Sequence, residues 1–192
     1  MHLERQAALD FLANRRSHSP KLLTTPVPSK DELAALLTLA ARSPDHGALA
    51  PWRFIVIEKP AMARLADLAE ARAKSLGRPE EDQSKARGQF DRGNLAVVVV
   101  ERPVASEKVP PLEQTLSAGA VCLSLVNAAL ASGWGAGWVT GWISFDRGFV
   151  EQGLGLETSE RVAGIVHIGS FATAPVERAR PDVEGITTWL SA

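Results

Sequence analysis

Leu95-Ala96-Val97-Val98-Val99-Val100 is the stretch of this 192-residue sequence that decides the fold. Six consecutive apolar residues, four of them the β-branched valine, are typical of a short strand buried in a core. Helical patterns precede and follow this strand, so it belongs to a sheet that is packed against helices. The sequence therefore predicts a sandwich of helices and a few central strands, of the α+β or the α/β class.

Further elements are predicted on both sides of this strand. Apolar runs predict strands at residues 54–57, between Trp138 and Gly141, and at 162–169. Helical periodicity predicts helices at residues 3–14, 30–42, 60–75, 79–90, 111–132 and 146–152. Ser29 and Glu32 form a capping-box pattern that fixes the start of the second helix. Residues 1–192 are predicted to form one domain.

The longest predicted helix, residues 111–132, has an unusual composition. Between Ala118 and Ala131 it is apolar on all sides, which predicts burial on every face. A single chain of this length has little room to bury a helix completely. We therefore expect a homodimer with a shared core.

The composition excludes several classes of protein. The chain is 45% hydrophobic with a net charge of −1, so nothing indicates nucleic-acid binding. Cys122 is the single cysteine, which rules out an internal disulfide and predicts a small buried side chain. The N-terminus lacks the apolar segment of a signal peptide, and the apolar run at 118–131 is shorter than the roughly 20 residues that span a bilayer. We expect a soluble, cytoplasmic protein.

The first candidate site segment is Arg15-Arg16-Ser17, just beyond the N-terminal helix. Guanidinium groups bind phosphate oxygens through paired hydrogen bonds, and the hydroxyl adds a neutral donor. The segment is therefore a candidate phosphate clamp. It is equally consistent with a solvated basic helix end, where cations interact favourably with the helix dipole.

The second candidate segment, Arg42-Ser43-Pro44-Asp45-His46, ends another predicted helix. Arg42 and His46 are candidates for contacts with the polar edge of a ring. They are equally consistent with an ordinary last-turn arginine and a loop histidine beside a turn-forming aspartate.

The third candidate segment is Trp138-Val139-Thr140-Gly141. Four glycines occur between residues 133 and 141, and glycine marks places where a ligand approaches the backbone closely, or else a close-packed corner. Together the three segments could hold a phosphate and line a flat heteroaromatic ring. None supplies an obvious nucleophile, so a bound cofactor would have to carry the chemistry.

The residue spacing does not support a dinucleotide-binding, metal or hydrolase site. The Gly-x-Gly-x-Gly pattern at 133–137 is not followed by a predicted helix, as a dinucleotide-binding fingerprint requires. The four histidines have no metal-ligand spacing among themselves or with Cys122, so no metal site is predicted. A hydrolase that uses His46 stays a remote alternative, because the chain has no Gly-x-Ser-x-Gly elbow.

Six stretches, in order along the chain, carry a resemblance to a known family. They are Asn14-Arg15-Arg16-Ser17, Ala41-Arg42-Ser43-Pro44-Asp45-His46, Pro51-Trp52-Arg53-Phe54-Ile55-Val56-Ile57-Glu58, Ser117-Ala118-Gly119-Ala120, Gly137-Trp138-Val139-Thr140-Gly141 and Ile168-Gly169. The ordered set covers nearly the whole chain. It resembles the small FMN-dependent nitroreductase family, in particular its compact YdjA-type branch of NAD(P)H nitroreductases.

The resemblance implies an α+β three-layer sandwich with a central mixed or antiparallel sheet, in an intertwined homodimer with one FMN at each of two interface sites. Arg15, Arg16 and Ser17 match the first FMN-binding segment, and Trp138, Val139 and Thr140 match the third. Arg42 and His46 match residues that reach FMN from the other subunit. Where the branch can carry arginine this chain has Val139, so only its backbone is expected to serve. Arg178 and Arg180 are further candidates for the phosphate.

The function implied is FMN-dependent oxidoreduction, in which NADH or NADPH passes a hydride through the flavin to a nitroaromatic, a quinone or a similar unsaturated acceptor. No side chain is assigned as a catalytic acid or base. A flavin-binding sensor or carrier without significant turnover is the alternative.

Overall fold

The computed structural model describes residues 2–191. The helices are α1 (His2–Asn14), α2 (Lys30–Ala40), α3 (Lys59–Ser75), α4 (Glu80–Asp91), α5 (Pro111–Ala131) and α6 (Arg147–Leu154). The strands are β1 (Trp52–Glu58), β2 (Leu95–Glu101), β3 (Gly135–Val139) and β4 (Arg161–Gly169). The helical and strand patterns of the sequence therefore predict the elements correctly in kind and order.

The four strands form one antiparallel sheet in the order β1-β2-β4-β3. In β2, Val98 lies opposite Ile55 of β1 and Ile165 of β4, and every residue of β2 is buried. Because successive side chains of a strand point to opposite faces, this strand contributes to two cores.

Helices cover both faces of the sheet. Ala96, Val98 and Val100 pack with residues of α3, α4 and α6 on one face. Val97 and Val99 pack with residues of α2 and α5 on the other. The α+β three-layer sandwich is confirmed, and its sheet is antiparallel.

Local chemistry fixes the ends of individual helices. The Ser29 hydroxyl accepts a hydrogen bond from the backbone N–H of Glu32, whose carboxylate accepts one from the backbone N–H of Ser29. This is the capping box that the sequence predicts, and such a cap stabilises a helix by about 1 kcal/mol. Asp146 caps α6 in a similar way, accepting from the N–H of Phe149 at 2.8 Å.

Strand β3 begins earlier than expected. The sequence places it after Trp138, whereas the glycine-rich stretch itself forms the strand from Gly135 onward. The reason is close backbone packing: a Cβ atom at Gly137 would clash with the carbonyl oxygen of His18. The missing side chains let the chain after α1 lie directly against the strand.

Helix α5 differs from its prediction in one respect. Its buried face packs on the sheet and α2, but Leu112, Leu116 and Leu123 are 67%, 64% and 47% exposed. A single chain therefore does not bury every face of this helix, and burial of the exposed face in a shared core stays a prediction. By length and composition alone, this 21-residue helix could cross a membrane, but it forms one side of the sandwich core.

Candidate functional site

The first and third candidate segments lie side by side. The backbone N–H of His18, the residue after Ser17, donates to the carbonyl of Ala136 in β3 at 2.8 Å. The chain after α1 is thereby attached along the edge of the sheet. This places the Arg15-Arg16-Ser17 segment next to the segment that begins at Trp138.

A cavity of about 430 Å³ lies at the arginine end of this arrangement. Arg15 and Arg16 line it together with Trp134 and Phe171. Both arginines have a buried Nε atom with no hydrogen-bond partner among the described residues. A buried, unpaired donor on a cationic group is costly, so this cavity fits an anionic oxygen-rich group such as a phosphate.

Other guanidinium nitrogens of the two arginines have partners. Nη2 of Arg15 donates to the Ser17 hydroxyl at 3.2 Å, and Nη2 of Arg16 donates to the carbonyl of Val176 at 3.3 Å. A Glu177 carboxylate oxygen lies 3.8 Å from Nη1 of Arg16. The C-terminal segment therefore closes one side of this cavity.

Of the two tail arginines, Arg180 is the one with a contact close to the cavity. Its Nη2 donates to the carbonyl of Ala13 at 3.3 Å and lies 3.0 Å from the Glu177 carboxylate. For Arg178, the structure shows a contact between its own backbone N–H and Glu177. Proximity therefore favours Arg180 as the additional phosphate candidate.

A second cavity, of about 360 Å³, lies on the other side of the same chain segment. Val139 and His167 of the sheet form its floor, Pro20 and Lys21 one wall, and Gln89 of α4 the opposite wall. We call it the ring cavity. Its outer residues include the charged side chains of Lys21, Glu81, Lys85 and Arg92.

Sequence reasoning missed His167 and the contribution of α4. His167 is 1% exposed, and burial lowers its pKa to about 4, so the imidazole is neutral at pH 7. Neither ring nitrogen has a hydrogen-bond partner among residues 2–191. In the sequence this histidine stands within an apolar strand, and only the fold shows that it faces a cavity.

The third segment presents mainly backbone and aromatic surface. Trp138 is 42% exposed, and its indole lies over Gly164, where a Cβ atom would clash with it. Val139 lines the ring cavity, and Thr140 follows as an exposed residue. These positions suit a flat ligand that contacts the sheet edge.

The second candidate segment does not join the other two within one chain. His46 Nδ1 lies 2.6 Å from the carboxylate of Glu113, and the Ser117 hydroxyl donates to the carbonyl of Pro44. Both partners are in the N-terminal half of α5. The 430 Å³ cavity lined by Arg15 and Arg16, called the arginine cavity from here on, is also lined by Leu130, near the C-terminal end of the same helix. At 1.5 Å per residue, Glu113 and Leu130 are separated by about 26 Å.

The remaining predictions from the sequence can be compared with the structure directly. Cys122 is fully buried, as predicted, and burial raises the pKa of its thiol to about 12. Among the described residues no group of histidine, cysteine and carboxylates is arranged to hold a metal ion. The side-chain partner found for His46 in the described chain is a carboxylate, so no Ser–His pair supports the hydrolase alternative.

The chain is similar to known proteins of one family. The sequence profile of the nitroreductase family matches residues 12–170. "Putative NAD(P)H nitroreductase YdjA" of Escherichia coli K12 is 32% identical over 163 residues, which cover 85% of this chain and 87% of that protein. A similarly named protein of Haemophilus influenzae is 34% identical over 86% of this chain and 98% of its own length.

Solved structures share the fold. A nitroreductase-like family protein from Bacillus cereus superposes with a TM-score of 0.79 at 22% identity, over 96% of each chain. A nitroreductase with bound FMN from Bacteroides fragilis gives a TM-score of 0.72 at 18% identity, over 95% of this chain and 98% of that one. With the family profile matched over most of its length and relatives above 30% identity, the chain belongs to the nitroreductase family.

Proposed function

We propose that the protein is an FMN-dependent oxidoreductase that passes a hydride from NADH or NADPH, through the flavin, to a nitroaromatic, a quinone or a similar unsaturated acceptor. The observation that carries this proposal is the pair of buried Nε atoms of Arg15 and Arg16, which have no hydrogen-bond partner among residues 2–191 and belong to side chains that line a cavity of about 430 Å³. The bound FMN of the Bacteroides fragilis structure and the names of the curated relatives support it.

The residues of this chain bind and orient the cofactor. Arg15 and Arg16 hold the phosphate, and Ser17 keeps Arg15 in place through its hydroxyl. Trp138, Val139 and Thr140 flank the ring where the chain after α1 meets the sheet. FMN itself, when bound, supplies the hydride-accepting and hydride-donating chemistry that none of these side chains has.

Arg42 and His46 complete the site from a second copy of the chain. The exposed leucines of α5 form a stripe that a homodimer would bury, because Leu112 and Leu116 are one turn apart on the same face. Two copies of α5 packed antiparallel across a two-fold axis place the Glu113 end of one helix beside the Leu130 end of the other. That brings the partner's second segment to the arginine cavity.

The test is the absorbance spectrum of the purified protein, followed by anaerobic addition of NADH or NADPH. We expect about one FMN per chain, bleached by the donor and restored by a nitroaromatic or a quinone. A colourless protein that does not take up added FMN contradicts the proposal. A yellow protein that no donor reduces is instead the flavin-binding sensor or carrier without turnover.

A further inference from the structure

His167 is the most deeply buried polar group that faces a cavity in the described chain. It is 1% exposed and lines the ring cavity, and neither of its ring nitrogens has a hydrogen-bond partner within residues 2–191. Buried polar side chains are nearly always paired with protein or with ordered water. An imidazole left unpaired at a cavity floor is therefore a position where a ligand group fits.

The surroundings fix where this imidazole can interact. A Cβ atom placed at Gly93 would lie 3.2 Å from His167 Nδ1 and 3.0 Å from the Met62 sulfur. One side of the ring is thus closed by backbone and by an apolar side chain. His167 is also one of the residues that line the ring cavity.

A second polar group faces the same space. Gln89 of α4 lines the cavity, and its Nε2 atom is also buried without a partner among residues 2–191. A neutral imidazole presents one donor and one acceptor, and a carboxamide presents both kinds of group as well. The floor and one wall therefore offer alternating donors and acceptors rather than a charge.

We propose that His167 is a positioning residue for the flavin, and that its neutral imidazole hydrogen-bonds to the pyrimidine edge of the ring, where two carbonyl groups flank an N–H. This inference rests on the proposed function, because it takes FMN as the occupant of the ring cavity. The alternating edge of the flavin matches the groups that His167 and Gln89 present. The charged residues of the cavity, Lys21, Glu81, Lys85 and Arg92, lie on its outer walls.

The test compares two ligands on three proteins. Apoprotein is titrated with FMN and with N3-methyl-FMN, whose edge has lost its donor, and dissociation constants are read from flavin fluorescence. The proteins are the wild type, His167→Leu and His167→Gln. Thermal unfolding checks that each variant is folded.

We expect the wild type to bind N3-methyl-FMN roughly tenfold more weakly than FMN, and His167→Leu to bind FMN roughly tenfold more weakly than the wild type does. The leucine variant should lose most of the discrimination between the two ligands, whereas His167→Gln should keep it. Damage to the structure alone would weaken the binding of both ligands equally and leave the ratio of their dissociation constants unchanged. A leucine variant that discriminates as strongly as the wild type therefore overturns the assignment.

A measurement that does not need the leucine variant covers the case in which that variant does not fold. In protein labelled with ¹⁵N-histidine, the ring nitrogens of His167, identified as the signals missing in His167→Gln, should shift when FMN binds. Unchanged signals under saturating FMN overturn the inference while the proposed function stands. A wild type that binds no FMN overturns the proposed function itself.

Discussion

Arg15, like Arg16, differs from Arg5 in that its Nε atom is buried. Arg5, on the preceding helix, is exposed. Replacing Arg15 with glutamate puts a negative charge against the cofactor phosphate and removes a charge-assisted hydrogen bond. We expect Arg15→Glu to weaken FMN binding on the order of 100-fold, measured by fluorescence titration. Arg5→Glu is the matched control and should bind like the wild type; equal affinity of both variants would show that the phosphate lies elsewhere.

His167 also makes a prediction about acid stability. Burial lowers its pKa from 6.5 to about 4 in the folded protein. Between these two pH values, the imidazole is therefore protonated in the unfolded chain and neutral in the folded chain. Its contribution to stability is complete above pH 6.5 and is lost as the pH falls towards 4. The charged side chains of Lys21, Glu81, Lys85 and Arg92 line the same cavity, and burial is the cause of the lowered pKa of His167.

The shift of about 2.5 pKa units corresponds to a loss on the order of 3 kcal/mol in the free energy of unfolding between pH 6.5 and pH 4. His167→Gln should flatten this part of the pH dependence, measured by urea unfolding at several pH values. His18, whose pKa burial also lowers, stays in both proteins and cancels in the comparison. Parallel curves for variant and wild type would show that His167 does not titrate as described.

Residues of the site differ in how far the sequence reveals them. Arg15 and Arg16 are recognisable because two cations and a hydroxyl follow a helix. His167 is not, because in the sequence it resembles a core position of a strand. The role of His167 depends on its ring nitrogens having no hydrogen-bond partner among residues 2–191. Helices α3 and α4, which are distant in the sequence, determine its surroundings.

At the scale of elements, β3 and the segment after α1 depend on each other through one glycine. A Cβ atom at Gly137 would meet the carbonyl oxygen of His18, a backbone atom that cannot rotate away. We expect Gly137→Ala to cost about 2 kcal/mol of unfolding free energy, measured by denaturant, and to weaken FMN binding because the Arg15–Ser17 segment shifts.

Gly88→Ala in α4, where the nearest atom to a new Cβ lies at 3.9 Å, is the control for the stability measurement only, because Gly88 also lines the ring cavity. Alanine is the better helix former by about 0.5–1 kcal/mol, so this variant should be as stable as the wild type or slightly more stable. Gly137→Ala with wild-type stability and FMN affinity would mean that the two segments are not coupled.

The elements themselves are largely predictable from local patterns. The valine run gives β2, and Ser29 with Glu32 gives the start of α2, because each signal lies within a few residues. The start of β3 is missed, since glycines normally weaken a strand and are tolerated here only through packing against His18. The apolar run at 118–131 leads to the expectation of a core shared by two chains, but it does not identify Leu112 and Leu116, which precede the run, as exposed residues of the same helix.

At the scale of the whole molecule, the stripe on α5 predicts the oligomeric state. Leu116 is 64% exposed in the single chain and lies in the middle of this stripe. Interfaces of obligate homodimers are apolar and commonly bury more than about 2,000 Å². The wild type should have twice the chain mass in light scattering at micromolar concentration, and Leu116→Glu should shift it towards the monomer. Leu76→Glu, at an exposed leucine just beyond α3, is the control and should remain dimeric.

The separation of the site segments along α5 gives a prediction about how the two subunits share their sites. Within one chain, the His46 region lies at the Glu113 end of α5, about 26 Å along the helix from the Leu130 end, where Arg15 and Arg16 line their cavity. A heterodimer of one Arg15→Glu subunit and one Arg42→Glu subunit, purified with two different tags, distinguishes the possibilities. If each site takes Arg15 from one chain and Arg42 from the other, one site carries both substitutions and the other carries none. About half of the wild-type FMN content and activity should then survive, although each parental homodimer is empty. If each site were built within one chain, every site of the heterodimer would carry one substitution, and the heterodimer would be as empty as its parents.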